Sequence, residues 1–143
     1  YKSEFINSVA FGTYNKRCEG RTPFDWLSVN KENIDKYIAD PYCGFLFTLS
    51  GYKNLFEVLK FVSEPSWFTA VPKDLPMYLI AGTEDPVGMY GKGVKTVFDK
   101  LNETGHKNVK IKLYEGDRHE IHNEDDRFDV YADIATWCDS VIG

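Results

Sequence analysis

Two residues with catalytic chemistry, Asp85 and His119, each follow an apolar run and sit among turn-forming neighbours. Asp85 comes after Met77–Ala81, within Gly82-Thr83-Glu84-Asp85-Pro86. His119 comes after Val109–Tyr114 and closes Glu115-Gly116-Asp117-Arg118-His119. They lie 34 positions apart (119 minus 85), too far for local contact but one strand–helix–strand crossover from each other. A carboxylate that accepts a hydrogen bond from an imidazole fixes its tautomer and stabilises the imidazolium formed during general-base catalysis. The order acid, then histidine is the one used when an activated serine comes earlier still. No serine here fits that part. Ser3, Ser8, Ser28, Ser50, Ser63, Ser66 and Ser140 all lack the Gly-x-Ser-x-Gly setting, and the nearest imitation, around Ser50, has Thr48 where the first glycine should stand.

The elements that must position this pair are legible from periodicity. Met77–Ala81 is continuously apolar, as suits a strand buried on both faces. Val94, Val97, Phe98 and Leu101 share one face of a helix expected from Lys92 to Thr104, with Gly105 as its C′ residue. Val109, Ile111 and Leu113 alternate with Lys110, Lys112 and Tyr114, a strand with one wet face. A last helix is expected over 126–142, with Val130, Tyr131, Ile134, Cys138 and Val141 inward and the acidic run Glu124-Asp125-Asp126 complementing its dipole. Strand, helix, strand, helix at these spacings implies parallel strands in an α/β sheet, and the carboxyl ends of parallel strands gather reactive groups at one edge.

Residues 1–72 have a different texture, aromatic-rich and broken. Ile34, Tyr37 and Ile38 mark a short helix ended by Asp40-Pro41. Leu55, Val58, Leu59 and Val62 mark another, with Asn54 as its expected N-cap. Phe45, Phe47, Phe56, Phe61, Trp67 and Phe68 fit either ordinary packing or the lining of an apolar pocket. The expected division is therefore 1–72, mostly short helices, and 73–143, a strand–helix–strand–helix unit.

Several stretches resemble one family. Leu79-Ile80-Ala81-Gly82-Thr83-Glu84-Asp85-Pro86-Val87 is similar to the acid-bearing turn of the monoacylglycerol lipase and lysophospholipase group of α/β-hydrolases, of the serine aminopeptidase S33 type. Leu113 to Glu124 resembles that group's histidine loop, His119 matching the catalytic histidine. Arg21-Thr22-Pro23-Phe24-Asp25-Trp26-Leu27-Ser28, followed by Asp40-Pro41, resembles part of its cap. The resemblance implies the carboxyl-terminal part of an α/β-hydrolase sheet, parallel strands with crossover helices, preceded by helical cap segments over 1–72. It implies cleavage of a carboxylic ester, with His119 as general base and acid and Asp85 orienting it. Without the nucleophile, the chain alone is expected to be inactive. Its expected partners are a small or lipid-like ester and the missing amino-terminal half.

Asp85 also fits a turn residue before Pro86, and His119 a surface loop histidine. His119, His122, Asp117 and Glu124 invite a metal reading, but His-Glu-x-His lacks the i, i+4 spacing of the zinc-protease helix. No metal or organic cofactor is therefore expected. His122 is expected to bond nearby backbone and His106 to be a solvated turn residue. The second function class is a non-catalytic assembly module that self-associates through an open sheet edge.

Composition bounds these readings. At 143 residues, with 43% hydrophobic and 27% charged residues, the chain has a globular composition and the length of one domain. A formal charge of −5 without a basic stripe argues against nucleic acid. No apolar run approaches the length needed to span a bilayer. Cys18, Cys43 and Cys138 form no CxxC pair, which suits a reducing cytoplasm, and Cys138 is expected to be inert packing. Tyr1-Lys2-Ser3 carries neither an initiating Met nor a signal-peptide core, so the expectation is a fragment, a processed form or a trimmed chain.

Overall fold

The computed structural model describes residues 1–142. Its only sheet among these residues has two strands, β1 (Met77–Gly82) and β2 (Val109–Tyr114), paired parallel. The register runs without a slip from Met77 opposite Val109 to Gly82 opposite Tyr114. Both strands therefore end at one level, and the loops that follow leave from the same edge. The Thr83 N–H donates to the Tyr114 carbonyl at 2.9 Å, extending the ladder one step beyond the strands.

The crossover is α5 (Lys92–Glu103), which buries Leu101. It begins after Gly91, whose φ of 79° is left-handed and where a Cβ would come within 2.8 Å of the Leu113 side chain on β2. It ends at Thr104 and the left-handed Gly105. The last helix, α6 (Arg127–Ile142), packs through Val130 and Ile134 on Tyr114, Ile121 and Ile80. Tyr131 and Val141, expected on its inner stripe, are exposed; Trp137 instead packs on Tyr78 of β1, ring centroids 5.6 Å apart. Cys138 is half-buried.

The first half supplies α1 (Glu4–Phe11), α2 (Lys31–Ala39), α3 (Leu49–Val62) and the single turn α4 (Trp67–Ala70). Asn30 caps α2 by accepting from the Asn33 N–H at 2.8 Å, an interaction generally worth about 1 kcal/mol. The helix ends before Asp40-Pro41, as expected. α3 starts well before Asn54, because Thr48 rather than Asn54 is the N-cap and accepts from the Gly51 N–H. The helix hides Tyr52, while Val58, Leu59 and Val62, read as its inner stripe, are exposed.

His106 is also placed differently from its expectation. It is buried, with its ring nitrogens facing the Leu101 and Val71 carbonyls at 3.0 and 3.2 Å, and so ties the end of α5 to the segment before β1. No helix among the described residues is long and apolar enough to cross a membrane.

Candidate active site

Asp85 lies three residues beyond β1, in a turn held by its own side chain. Its Oδ1 accepts from the Val87 N–H at 2.8 Å, and the Tyr90 N–H donates to its carbonyl at 2.8 Å. Met89 and Tyr90 both adopt left-handed φ, 53° and 57°, a conformation generally costing about 1–2 kcal/mol for a residue with a Cβ. The Arg17 guanidinium lies 3.6 Å from the Tyr90 ring centroid, clamping this turn from the first half of the chain. Asp85 is 6% exposed.

His119 lies five residues beyond β2, and its Nδ1 is 3.2 Å from Asp85 Oδ1. A carboxylate only accepts, so Nδ1 carries the hydrogen and, in the neutral ring, Nε2 is left as the basic atom. The hydrogen bond to Asp85 holds the His119 pKa above its ordinary value, burial opposes this, and the negative charges of Asp85 and Glu120 add to the rise. The side chain is 39% exposed, so the ring remains reachable from outside. Asp85 Oδ1 thus serves both the turn bond to Val87 and the contact with His119.

Further contacts lock the two loops together. The Glu84 N–H donates to the Asp117 carbonyl and the Gly116 N–H to Thr83 Oγ1, each at 2.9 Å. Gly82 permits this approach: a Cβ there would stand 2.1 Å from the Asp117 carbonyl oxygen.

The stretch Arg21–Ser28 lies directly against the histidine loop. The His119 and Glu120 N–H groups donate to the Trp26 and Leu27 carbonyls at 3.4 and 2.7 Å. The Trp26 ring packs on His119 with centroids 5.3 Å apart. Buried Arg118 donates to the Asp25 and Ser28 carbonyls and pairs with Glu19 at 3.0 Å.

Glu124 completes the clamp. It is fully buried and accepts from Ser28 Oγ at 2.6 Å and from the Val29 and Arg118 N–H groups at 2.9 Å each. Beside its place before α6, where the Arg127 N–H donates to its carbonyl at 3.3 Å, Glu124 is thus an anchor between two distant loops. His122, expected to bond nearby backbone, is an exposed residue, and its carbonyl accepts from Tyr131 Oη.

Asp117 is buried with Oδ2 unpartnered, and burial, followed by the charges of Asp126 and Glu124, pushes its pKa up to about 7. Among the described residues, no group of three or more His, Cys, Asp or Glu side chains is placed to hold a metal ion.

A cavity of about 630 Å³ lies behind Trp26. Of the six aromatics singled out from the sequence, Phe45 and Phe47 line it; Phe56 edges a separate groove, Phe61 is exposed, and Trp67 stacks on Phe68.

Residues 4–126 match the family described as serine aminopeptidase, S33. The chain belongs to this family. Two solved structures share the fold of this S33 chain, each with a TM-score of 0.87. A highly thermostable carboxyl esterase from Bacillus coagulans in complex with glycerol is 34% identical, over 99% of this chain and 47% of its own. A lipase in an open form is 32% identical, over 98% of this chain and 46% of its own. The S33 chain thus spans about half the length of these solved relatives, and what it presents is part of an α/β-hydrolase fold. No curated protein matches it.

What sequence reasoning missed is how Arg118, Glu124, Ser28 and Trp26, all in stretches it singled out, meet around the pair. Glu124 and Ser28 are 96 positions apart, and no local periodicity reports such a bond.

Proposed function

We propose that the chain is the acid- and base-bearing portion of a serine ester hydrolase, with residues 1–72 forming cap segments and 73–143 the end of the catalytic sheet. The observation that carries this is the 3.2 Å contact between His119 Nδ1 and Asp85 Oδ1 on adjacent strand ends. In the completed enzyme, His119 Nε2 takes the proton from a serine hydroxyl as the oxygen attacks the ester carbonyl. His119 then returns that proton to the departing alkoxide. Water repeats the sequence on the acyl-serine, releasing the acid and regenerating the serine. Asp85 holds the ring and stabilises its positive charge. The S33 membership and the carboxyl esterase and lipase relatives support an ester substrate, and the cap-like aromatic half supports a small or lipid-like one of the lysophospholipase or monoacylglycerol type. The three free cysteines favour a reducing cytoplasm.

The test is to supply the missing amino-terminal half and assay short acyl esters. His119→Ala is expected to lower kcat by roughly 10⁴-fold or more. Asp85→Asn is expected to lower it by roughly 10²–10⁴-fold. Removing Asp85 also removes the support for the raised imidazole pKa, so the acidic limb of the rate profile moves to lower pH. Full activity in the His119→Ala enzyme would refute the assignment.

A second reading rests on a separate observation: among the described residues β1 pairs only with β2, and β2 only with β1. Each has an outer edge open to another strand. In that reading the chain is an assembly module that pairs with a second copy or with the other half. Light scattering decides it, since a stable monomer would remove the need for a partner strand.

A further inference from the structure

Among the described residues, Trp26 is the one aromatic that both lines the cavity and packs on the His119 ring. A chain of ring contacts continues inward from it: Tyr14 at 5.0 Å, then Phe11 at 5.7 Å from Tyr14, then Tyr52 at 6.5 Å from Phe11. Phe47 packs on the far side of Tyr52, centroids 5.5 Å apart, and Phe45 on Phe47 at 5.7 Å. The cavity is thus walled largely by rings, and its polar lining is neutral except for Glu4. No Lys or Arg lines it among the described residues. Such a lining favours an uncharged apolar group and disfavours a carboxylate, whose water it would strip without offering a cation in return.

The backbone of Trp26 is held independently of its indole. Its N–H donates to Asn15 Oδ1 at 2.9 Å and its carbonyl accepts from the His119 N–H at 3.4 Å. The loop thus has backbone anchors of its own beside the indole's packing on Tyr14 and His119.

Building on the ester-hydrolase reading, we propose that Trp26 is a positioning and specificity residue: its indole is the shared wall between the aromatic cavity and His119, and it couples the imidazole to an uncharged acyl or aryl group seated behind it. The cavity selects the apolar portion of the ester, and the indole transmits its presence to the ring that handles the proton.

The test uses the chain as it is, isotope-labelled, with NMR as the readout, so it does not depend on turnover. Titration with 1-octanol is expected to shift the Trp26 indole and Tyr52 signals and the His119 ring signals together and saturably. Octanoate is expected to bind about tenfold more weakly. In Trp26→Ala, octanol still shifts Tyr52 and the His119 response is lost. Trp26→Leu, which retains apolar bulk, carries the same expectation should the alanine variant not fold. An unchanged His119 response in either folded variant would overturn the proposal, as would the absence of saturable shifts at Trp26 and Tyr52 in the parent chain. Failure here leaves the hydrolase reading standing, because that reading is judged by turnover in the completed His119→Ala enzyme.

Discussion

Asp117 stands two residues before His119 with a buried, unpartnered carboxylate oxygen and a pKa raised to about 7. Because the folded state holds this proton where the unfolded chain has lost it, stability falls as pH rises from the ordinary carboxyl pKa toward 7. The raised His119 pKa acts in the same direction: its contribution is complete below about pH 6.5 and is lost as pH passes through the folded value. Urea unfolding is therefore expected to show the protein weakening between pH 5 and 7, by roughly 2 kcal/mol from Asp117. Asp117→Asn, which removes the titrating group while keeping its shape, should flatten most of that slope and be the more stable form at pH 8. A slope unchanged in the variant would mean that Asp117 is not the group whose proton is held in the folded state.

At the scale of elements, the parallel pair delivers the two loops to one edge, and Gly82 decides how closely they meet. A Cβ at that position would collide with the Asp117 and Arg118 carbonyl oxygens at 2.1 and 2.4 Å, both backbone atoms with little room to yield. Gly82→Ala is expected to destabilise by roughly 2–4 kcal/mol and to separate Asp85 from His119, read as a fall in the His119 pKa toward its ordinary value. Glu124→Ala leaves Ser28 Oγ and the Val29 and Arg118 N–H groups without their acceptor, for a comparable loss. Its signature would be faster hydrogen exchange at Glu120, whose N–H bonds the Leu27 carbonyl across the same seam.

These elements also separate what the sequence discloses from what it does not. β2 and α5 are legible because their apolar residues repeat at the period of the element they form, and β1 because it is a short unbroken apolar run ended by a turn. That Asp85 and His119 leave the sheet at one edge follows from the strand ends; how closely they meet depends on Gly82 and the inter-loop bonds. The start of α3 is obscured because its first turn, Leu49-Ser50-Gly51-Tyr52, mixes weak helix formers with one deeply buried ring. The Glu124 clamp and buried His106 are invisible because both are polar side chains satisfied by backbone groups far away in sequence. A run of acids reads as solvated until a distant loop presents donors to it.

For the molecule as a whole, the distribution of apolar surface is the unresolved tension. On α3, Phe56, Val58, Leu59, Phe61 and Val62 are all exposed, Phe61 at 78%, and Phe5 and Val9 on α1 are open too. Large contiguous apolar surface, where such residues form it, marks a contact face. The solved relatives are about twice as long as this chain, so the chemistry expected to cover such faces lies in the portion of those structures that the chain does not match. The chain alone is therefore expected to bind a hydrophobic dye such as ANS and to grow in apparent mass with concentration. If the amino-terminal half proposed above covers these faces, its addition should reverse both. Phe61→Glu, distant from Asp85 and His119 in the chain, should reduce dye binding without moving the His119 titration. If dye binding and mass stay unchanged when the halves are mixed, the exposed faces serve something other than their union. If Phe61→Glu shifts the His119 titration, α3 is coupled to the catalytic edge rather than standing apart from it.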